Sequence, residues 1–191
     1  SAAGNTLFDD VTPNLVPNVP IAPGAAAEFT APNFTNALVL PTGPGITITQ
    51  TSIAQRSTQL ANGQLNSGLW DMIDTNRTGP DAGRYLFAPF EPGFGVGSGG
   101  GVQRTDLQTG LTTTIVNPGN QTFIRGDASR WTPWGSYLTA EEDWSAVSGG
   151  IRHGRLFELT NPVATAGDAT SNFVQRNVLP RVSHEGLVFD K

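Results

Sequence analysis

Glycine recurs at the head of β-prone segments with a fixed step, and that step constrains the fold more than any other feature of the chain. Gly83, Gly135 and Gly186 each lead such a run, and they stand 52 and 51 residues apart. A second leading glycine follows the first two at Gly101 and Gly154, 18 and 19 residues on. Periods of roughly 40–50 residues, with about four strands each, belong to β-propeller blades. Only two units are complete within the 191 residues, and a third begins at Gly186. A propeller closes with at least about four blades. The expectation is therefore an all-β run of blades, incomplete at the C-terminus. Missing C-terminal blades or a second chain adding its own strand would complete it.

The segments between the glycines fit this reading. Residues 69–73, 83–87, 135–139, 154–159, 173–176 and 186–190 read as strands. Residues 101–107 and 111–116 read as a tight hairpin turning at Gly110. Residues 126–134 read as a long loop between blades. Before residue 68 the pattern changes. Residues 1–67 read as an irregular arm, because Pro13, Pro17, Pro20, Pro23 and Pro32 forbid sustained helix and interrupt any ladder. Within it, residues 37–40 and 46–51 are short β-prone runs around a Pro-Thr-Gly-Pro-Gly turn. Residues 52–64 are the best helix candidate, capped by Ser52 and ended by Gly63.

Composition excludes several function classes. The net charge is −5, and Lys191 is the only lysine among 11 basic residues. No basic run exists, so nucleic acid is not an expected partner. No stretch approaches the ~20 apolar residues of a membrane span. There is no cysteine, which removes disulfides, zinc–thiolate sites and thiolate nucleophiles. The opening Ser1-Ala-Ala-Gly4 and the Thr- and Asn-rich, lysine-poor composition suggest an exported protein, periplasmic or extracellular. Glycosylation triplets at Asn33, Asn76 and Asn120 are common by chance in a Thr-rich chain.

Candidate chemistry gathers on the repeat. Counted from its leading glycine, Glu91 is at +8, and Glu141, Glu142 and Asp143 are at +6, +7 and +8. Glu185 and His184 precede the third glycine. Equivalent strand ends of successive blades converge on a central channel, where grouped carboxylates suit hard cations such as calcium or ferric iron. The opposing reading of Glu141-Glu-Asp143 is a solvated acidic loop. Asp127 and Arg130 form a second concentration, either with arginine as a phosphate clamp or as a structural ion pair. His184 reads as a ligand, an acid–base group or a packed loop histidine. Gly95-Val-Gly-Ser-Gly-Gly100 matches the dinucleotide pattern formally, but without a βαβ context it reads as a loop.

Thr132-Pro-Trp-Gly-Ser-Tyr-Leu-Thr-Ala-Glu-Glu142 resembles the signature of the PhoX-type alkaline phosphatases and their bacterial relatives. Gly83-Arg-Tyr-Leu-Phe-Ala-Pro-Phe-Glu91, Gly101-Val-Gln-Arg-Thr-Asp-Leu107 and Arg181-Val-Ser-His-Glu-Gly186 fit the same family. The resemblance covers roughly residues 68–191. It implies about half of a six-bladed propeller, export, and calcium and ferric iron in the channel. It also implies hydrolysis of a phosphate ester substrate. Carried over by motif, Glu141, Glu142 and Glu185 are metal candidates, joined by Glu91 from the repeat, with Arg130 and His184 as catalytic candidates. The family places an iron-ligating cysteine directly before the Glu-Glu pair; here that residue is Ala140. Calcium is thereby favoured over Fe3+, and a non-catalytic, calcium-stabilised accessory subunit stands beside the enzyme reading.

Overall fold

A computed structural model describes strands 37–39 and 47–49, and residues 53–54, 59, 61–64, 69–91, 99–143 and 150–190. The chain divides into two compact units, Ser1–Gln55 and Arg56–Lys191. In the first, β1 (Ala37–Val39) and β2 (Thr47–Thr49) pair antiparallel, with Leu38 opposite Ile48. This is the hairpin the β-prone runs predict. Residues 1–36 lie outside the described residues, as do residues 52, 55–58 and 60 of the predicted helix, whose described start, Ile53 and Ala54, is not helical. Gln59 and Ala61 are helical, and Gly63 follows at φ +78°.

The second unit holds two four-stranded antiparallel sheets. β3 (Asp74–Thr75), β4 (Tyr85–Phe90), β5 (Gly101–Asp106) and β6 (Thr112–Val116) form one. β7 (Gly126–Trp131), β8 (Tyr137–Glu141), β9 (Leu156–Leu159) and β10 (Phe173–Arg176) form the other. In each, the strands pair in chain order as a meander, and no sheet closes on itself among the described residues. The repeat in the sequence is thus the repeat of the sheets. Gly83 and Gly135 occupy the same place in each, the turn into the second strand, with φ of +82° and +90°. Only glycine adopts that backbone without steric cost.

Both sheets contribute to one core. Phe87 of the first stacks on Trp131 and Tyr137 of the second, with ring centroids 5.6 and 5.0 Å away. Phe123, Phe157 and Phe173 pack edge-on and stacked beneath them. The buried Asp74 carboxylate joins the sheets by accepting from the Trp131 backbone N–H at 2.6 Å. The short helix α1 (Ala166–Ser171) lies against β6, where the Thr170 hydroxyl donates to the Ile115 carbonyl. At Gly101, a Cβ would fall on the Phe90 ring and the Val116 carbonyl. Gly101→Ala is expected to cost about 1–3 kcal/mol by overpacking. An unchanged melting temperature would show that β4 and β6 yield freely.

Three expectations are corrected. Residues 69–73 form no strand beyond the single Trp70–Phe90 bridge, and the first strand of that sheet is Asp74–Thr75. Residues 126–131 are strand β7, not loop. Their run Gly-Asp-Ala-Ser-Arg-Trp lacks apolar alternation because β7 has covered residues on both faces. Residues 186–190 form no strand. Instead Leu187 and Phe189 pack against Ala128, Leu138, Ala140 and Leu156 on the second sheet, and Phe189 meets Trp134 edge-on. Of the glycosylation triplets, Asn76 is buried, donating to the Asp81 carbonyl and accepting from the Tyr85 N–H.

Candidate metal centre

The site is built where strands end. Trp70 bridges Phe90 just outside the β3–β4 ladder, so Asp71 and Glu91 flank one pair of neighbouring strands. Two backbone bonds hold them there, Asp71 N–H to the Pro89 carbonyl at 3.2 Å and Glu91 N–H to the Leu69 carbonyl at 3.0 Å. The second sheet repeats the arrangement. Gly126 pairs with Glu141, and the Glu142 N–H donates to the Arg125 carbonyl at 2.8 Å. The ladder slips between Gly126 and Ala128, which leaves Asp127 as the extra residue of a bulge. Bulges of this kind re-aim a side chain. Each sheet thus delivers one aspartate, Asp71 just before its first strand or Asp127 within it, and one glutamate just beyond the end of its second.

Asp71, Glu91 and Glu142 are half-buried, and one ligand oxygen from each lies within 4.8 Å of the other two. Asp127 is only 3% exposed, and its Oδ1 is buried without a hydrogen-bond partner. The charged groups facing it are Asp71, Glu142 and Glu91. Burial and these neighbours push the Asp127 carboxyl up to about 7. Burial, a hydrogen bond with Asp71 and repulsion from Asp71 and Glu142 push Glu91 up, and the Arg125 guanidinium opposes them. Without a cation, Asp127 and Glu91 keep their protons to higher pH than isolated carboxylates do.

A pH prediction follows from Asp127. Its folded value is raised above the usual ~3.9, so the folded state binds more protons than the unfolded chain from about pH 4 to about 7. Its contribution to stability falls as pH rises through that window. Burial lowers His184, which runs in the opposite sense, so the clean readout is a difference. In chelator, Asp127→Asn is expected to gain on the wild type in urea unfolding as pH rises from 5 to 8. A constant difference would contradict the raised carboxyl.

The donors are all oxygens. Oxygens within 4.8 Å of one another can share one hard cation, and a flexible, all-carboxylate set is the kind that calcium takes. An iron–thiolate centre does not fit. Ala140 is fully buried in the apolar cluster with Leu138 and Leu156.

The structure brings Glu91 and Glu142 together, and it separates the other predicted residues from them. Glu141 is fully buried and committed elsewhere. Its carboxylate accepts from Arg155 Nε, Nη2 and backbone N at 2.9, 2.6 and 2.9 Å, and from the Ile124 N–H at 3.3 Å. His153 Nδ1 lies 3.0 Å away. Glu185 is exposed. His184 is buried, with its backbone N–H on the Glu141 carbonyl and its Nε2 unpartnered. Arg130 lies between Ser129 and Trp131 and alternates to the face away from the first sheet. No ion pair joins it to Asp127 among the described residues. Asp143, the third acid of the triplet, pairs with Arg125 at 3.0 Å. Sequence reasoning missed Asp71. Asp127 stood out only as a partner for Arg130.

Comparison with protein-family models, with curated proteins and with solved structures gave no match.

Proposed function

We propose that this chain is a calcium-binding protein of propeller type, whose cation lies between two blades and ties them together. The observation that carries the reading is the convergence of Asp71 and Glu91 from one sheet with Glu142 from the next, faced by the buried Asp127 carboxyl. Four carboxylates beside one Arg125 guanidinium that is itself paired with Asp143, with one buried oxygen unpartnered, form an arrangement that a hard cation stabilises. The matching place of each Asp–Glu pair within its sheet supports reading the sheets as blades. Asp71, Glu91, Asp127 and Glu142 would hold the ion. The test is elemental analysis of the purified protein, followed by calcium titration and thermal melts in calcium and in chelator. Absence of calcium together with an unmoved melt would sink the proposal.

A second reading is exported phosphomonoester hydrolysis, favoured by the Thr132-Pro-Trp-Gly…Glu-Glu142 signature and by Glu91 and Glu142 lying in one cluster. A bound cation would supply Lewis-acid polarisation of a phosphoryl oxygen. Of the chain's own groups, Arg125 is the guanidinium nearest Glu91, and it would orient an anion only while keeping or exchanging its 3.0 Å pair with Asp143. His184 is not among the grouped ligands, and Arg130 makes no ion pair with Asp127 among the described residues. Turnover of p-nitrophenyl phosphate in calcium separates the readings. Calcium binding without turnover leaves the accessory, calcium-stabilised one, in which a further chain is the natural partner.

A further inference from the structure

Four non-glycine residues adopt positive φ among those described, and two of them frame the carboxylate cluster. Leu69 has φ +47° and Arg125 has φ +46°. The two stand 56 residues apart at the same place in each sheet. Both are followed two positions later by a cluster aspartate, Asp71 and Asp127. Both carbonyls accept the backbone N–H of a cluster glutamate, Glu91 at 3.0 Å and Glu142 at 2.8 Å. The same device thus accompanies each of the two carboxylate pairs.

Packing does not explain it. Leu69 is 68% exposed, so its side chain gains nothing from the strained backbone. A bulky residue in the left-handed region is a genuine outlier and persists only where its surroundings over-determine it. What the conformation achieves here is to turn the carbonyl toward the glutamate N–H as the chain comes alongside the sheet's second strand. We propose that Leu69 and Arg125 are paired positioning residues, whose left-handed backbone sets the Asp71–Glu91 and Asp127–Glu142 pairs at cation-binding distance. This rests on the cation reading above, and on the buried Asp127 oxygen left without a partner.

The test compares side chains that differ in tolerance for that backbone. Asparagine and glycine accept the left-handed region, and valine resists it. Leu69→Asn, Leu69→Gly and Arg125→Asn are expected to keep terbium(III) affinity, read by luminescence with calcium competition. Leu69→Val and Arg125→Val are expected to lose about 10–100-fold, as when groups that orient metal ligands are removed. Both Arg125 variants delete the guanidinium, so their difference isolates the backbone. Luminescence lifetimes in H2O and D2O are expected to report more metal-bound water in the valine variants. Melts in chelator verify that each variant is folded at the titration temperature. Should one valine variant fail to fold, the other position decides. Equal affinity of the valine and asparagine variants, with the wild type binding, overturns the positioning role alone. No terbium or calcium binding by the wild type overturns the cation reading and this inference with it.

Discussion

Arg155→Met is expected to destabilise the protein by about 3–5 kcal/mol, a large part of the ~5–15 kcal/mol that a domain commands. Glu141 is completely buried and receives two guanidinium hydrogen bonds, at 2.9 and 2.6 Å. Removing the guanidinium leaves a carboxylate in the interior with only backbone donors and His153. The same arginine donates at 3.1 Å to the carbonyls of Gln121 and Thr122. Those residues hold positive φ of +52° and +59°, so the substitution also frees a strained turn. The guanidinium lies 4.9 Å above the Phe157 ring, and methionine recovers part of that packing. A companion experiment separates pair from parts. Glu141→Met with Arg155→Met removes both charges, and it is expected to recover most of the loss. Urea unfolding of the wild type, both single variants and the double variant measures the coupling. Additive losses would show that Glu141 and Arg155 act independently.

That buried pair also marks how far the sequence could be read. The leading glycines at Gly83 and Gly135 announce the sheets, because a turn needing positive φ admits few other residues. The hairpin at Gly110 and strand β10 are equally legible, from turn chemistry and β-branched or aromatic runs. Strand β7 is not, because Gly126-Asp-Ala-Ser-Arg-Trp131 has covered residues on both faces and shows no period of two. The site is legible in half. Glu91 and the Glu141–Asp143 triplet follow from their distance to a leading glycine, although the shared offset of +8 points to Asp143 and not to Glu142. Asp71 has no such marker, since what delivers it is the Trp70–Phe90 bridge, a pairing across twenty residues. The choice between Glu141 and Glu142 turns on a single residue. Neighbours on a strand point to opposite faces, and only the end of β8 at Glu141 decides which glutamate meets Arg155 and which meets the cluster. The third glycine failed as a signal because a strand needs a neighbour to pair with, and residues 186–190 pack by Leu187 and Phe189 side chains instead.

Calcium at about a hundred times its dissociation constant is expected to stabilise the protein by about 2.7 kcal/mol. For a unit of this size that raises the melting temperature by roughly 5–15 °C. The sheets share the cluster, so binding ties Asp71 and Glu91 to Asp127 and Glu142, and separating the sheets releases the ion. Asp127→Asn makes the prediction sharp, because its two effects have opposite sign. In chelator above pH 7 the variant is expected to melt higher than the wild type, since it removes a buried charge that only other carboxylates face. In calcium it is expected to melt lower, since it removes a ligand. Glu142→Gln is expected to behave alike, with a smaller gain in chelator because Glu142 is half-buried. Glu185→Gln, at an exposed position outside the cluster, is expected to leave both melts where they were. The crossing of the Asp127→Asn and wild-type curves as calcium is added distinguishes a cation site from an acidic surface. General screening of surface charge by calcium would shift all four proteins together, and that outcome would remove the site.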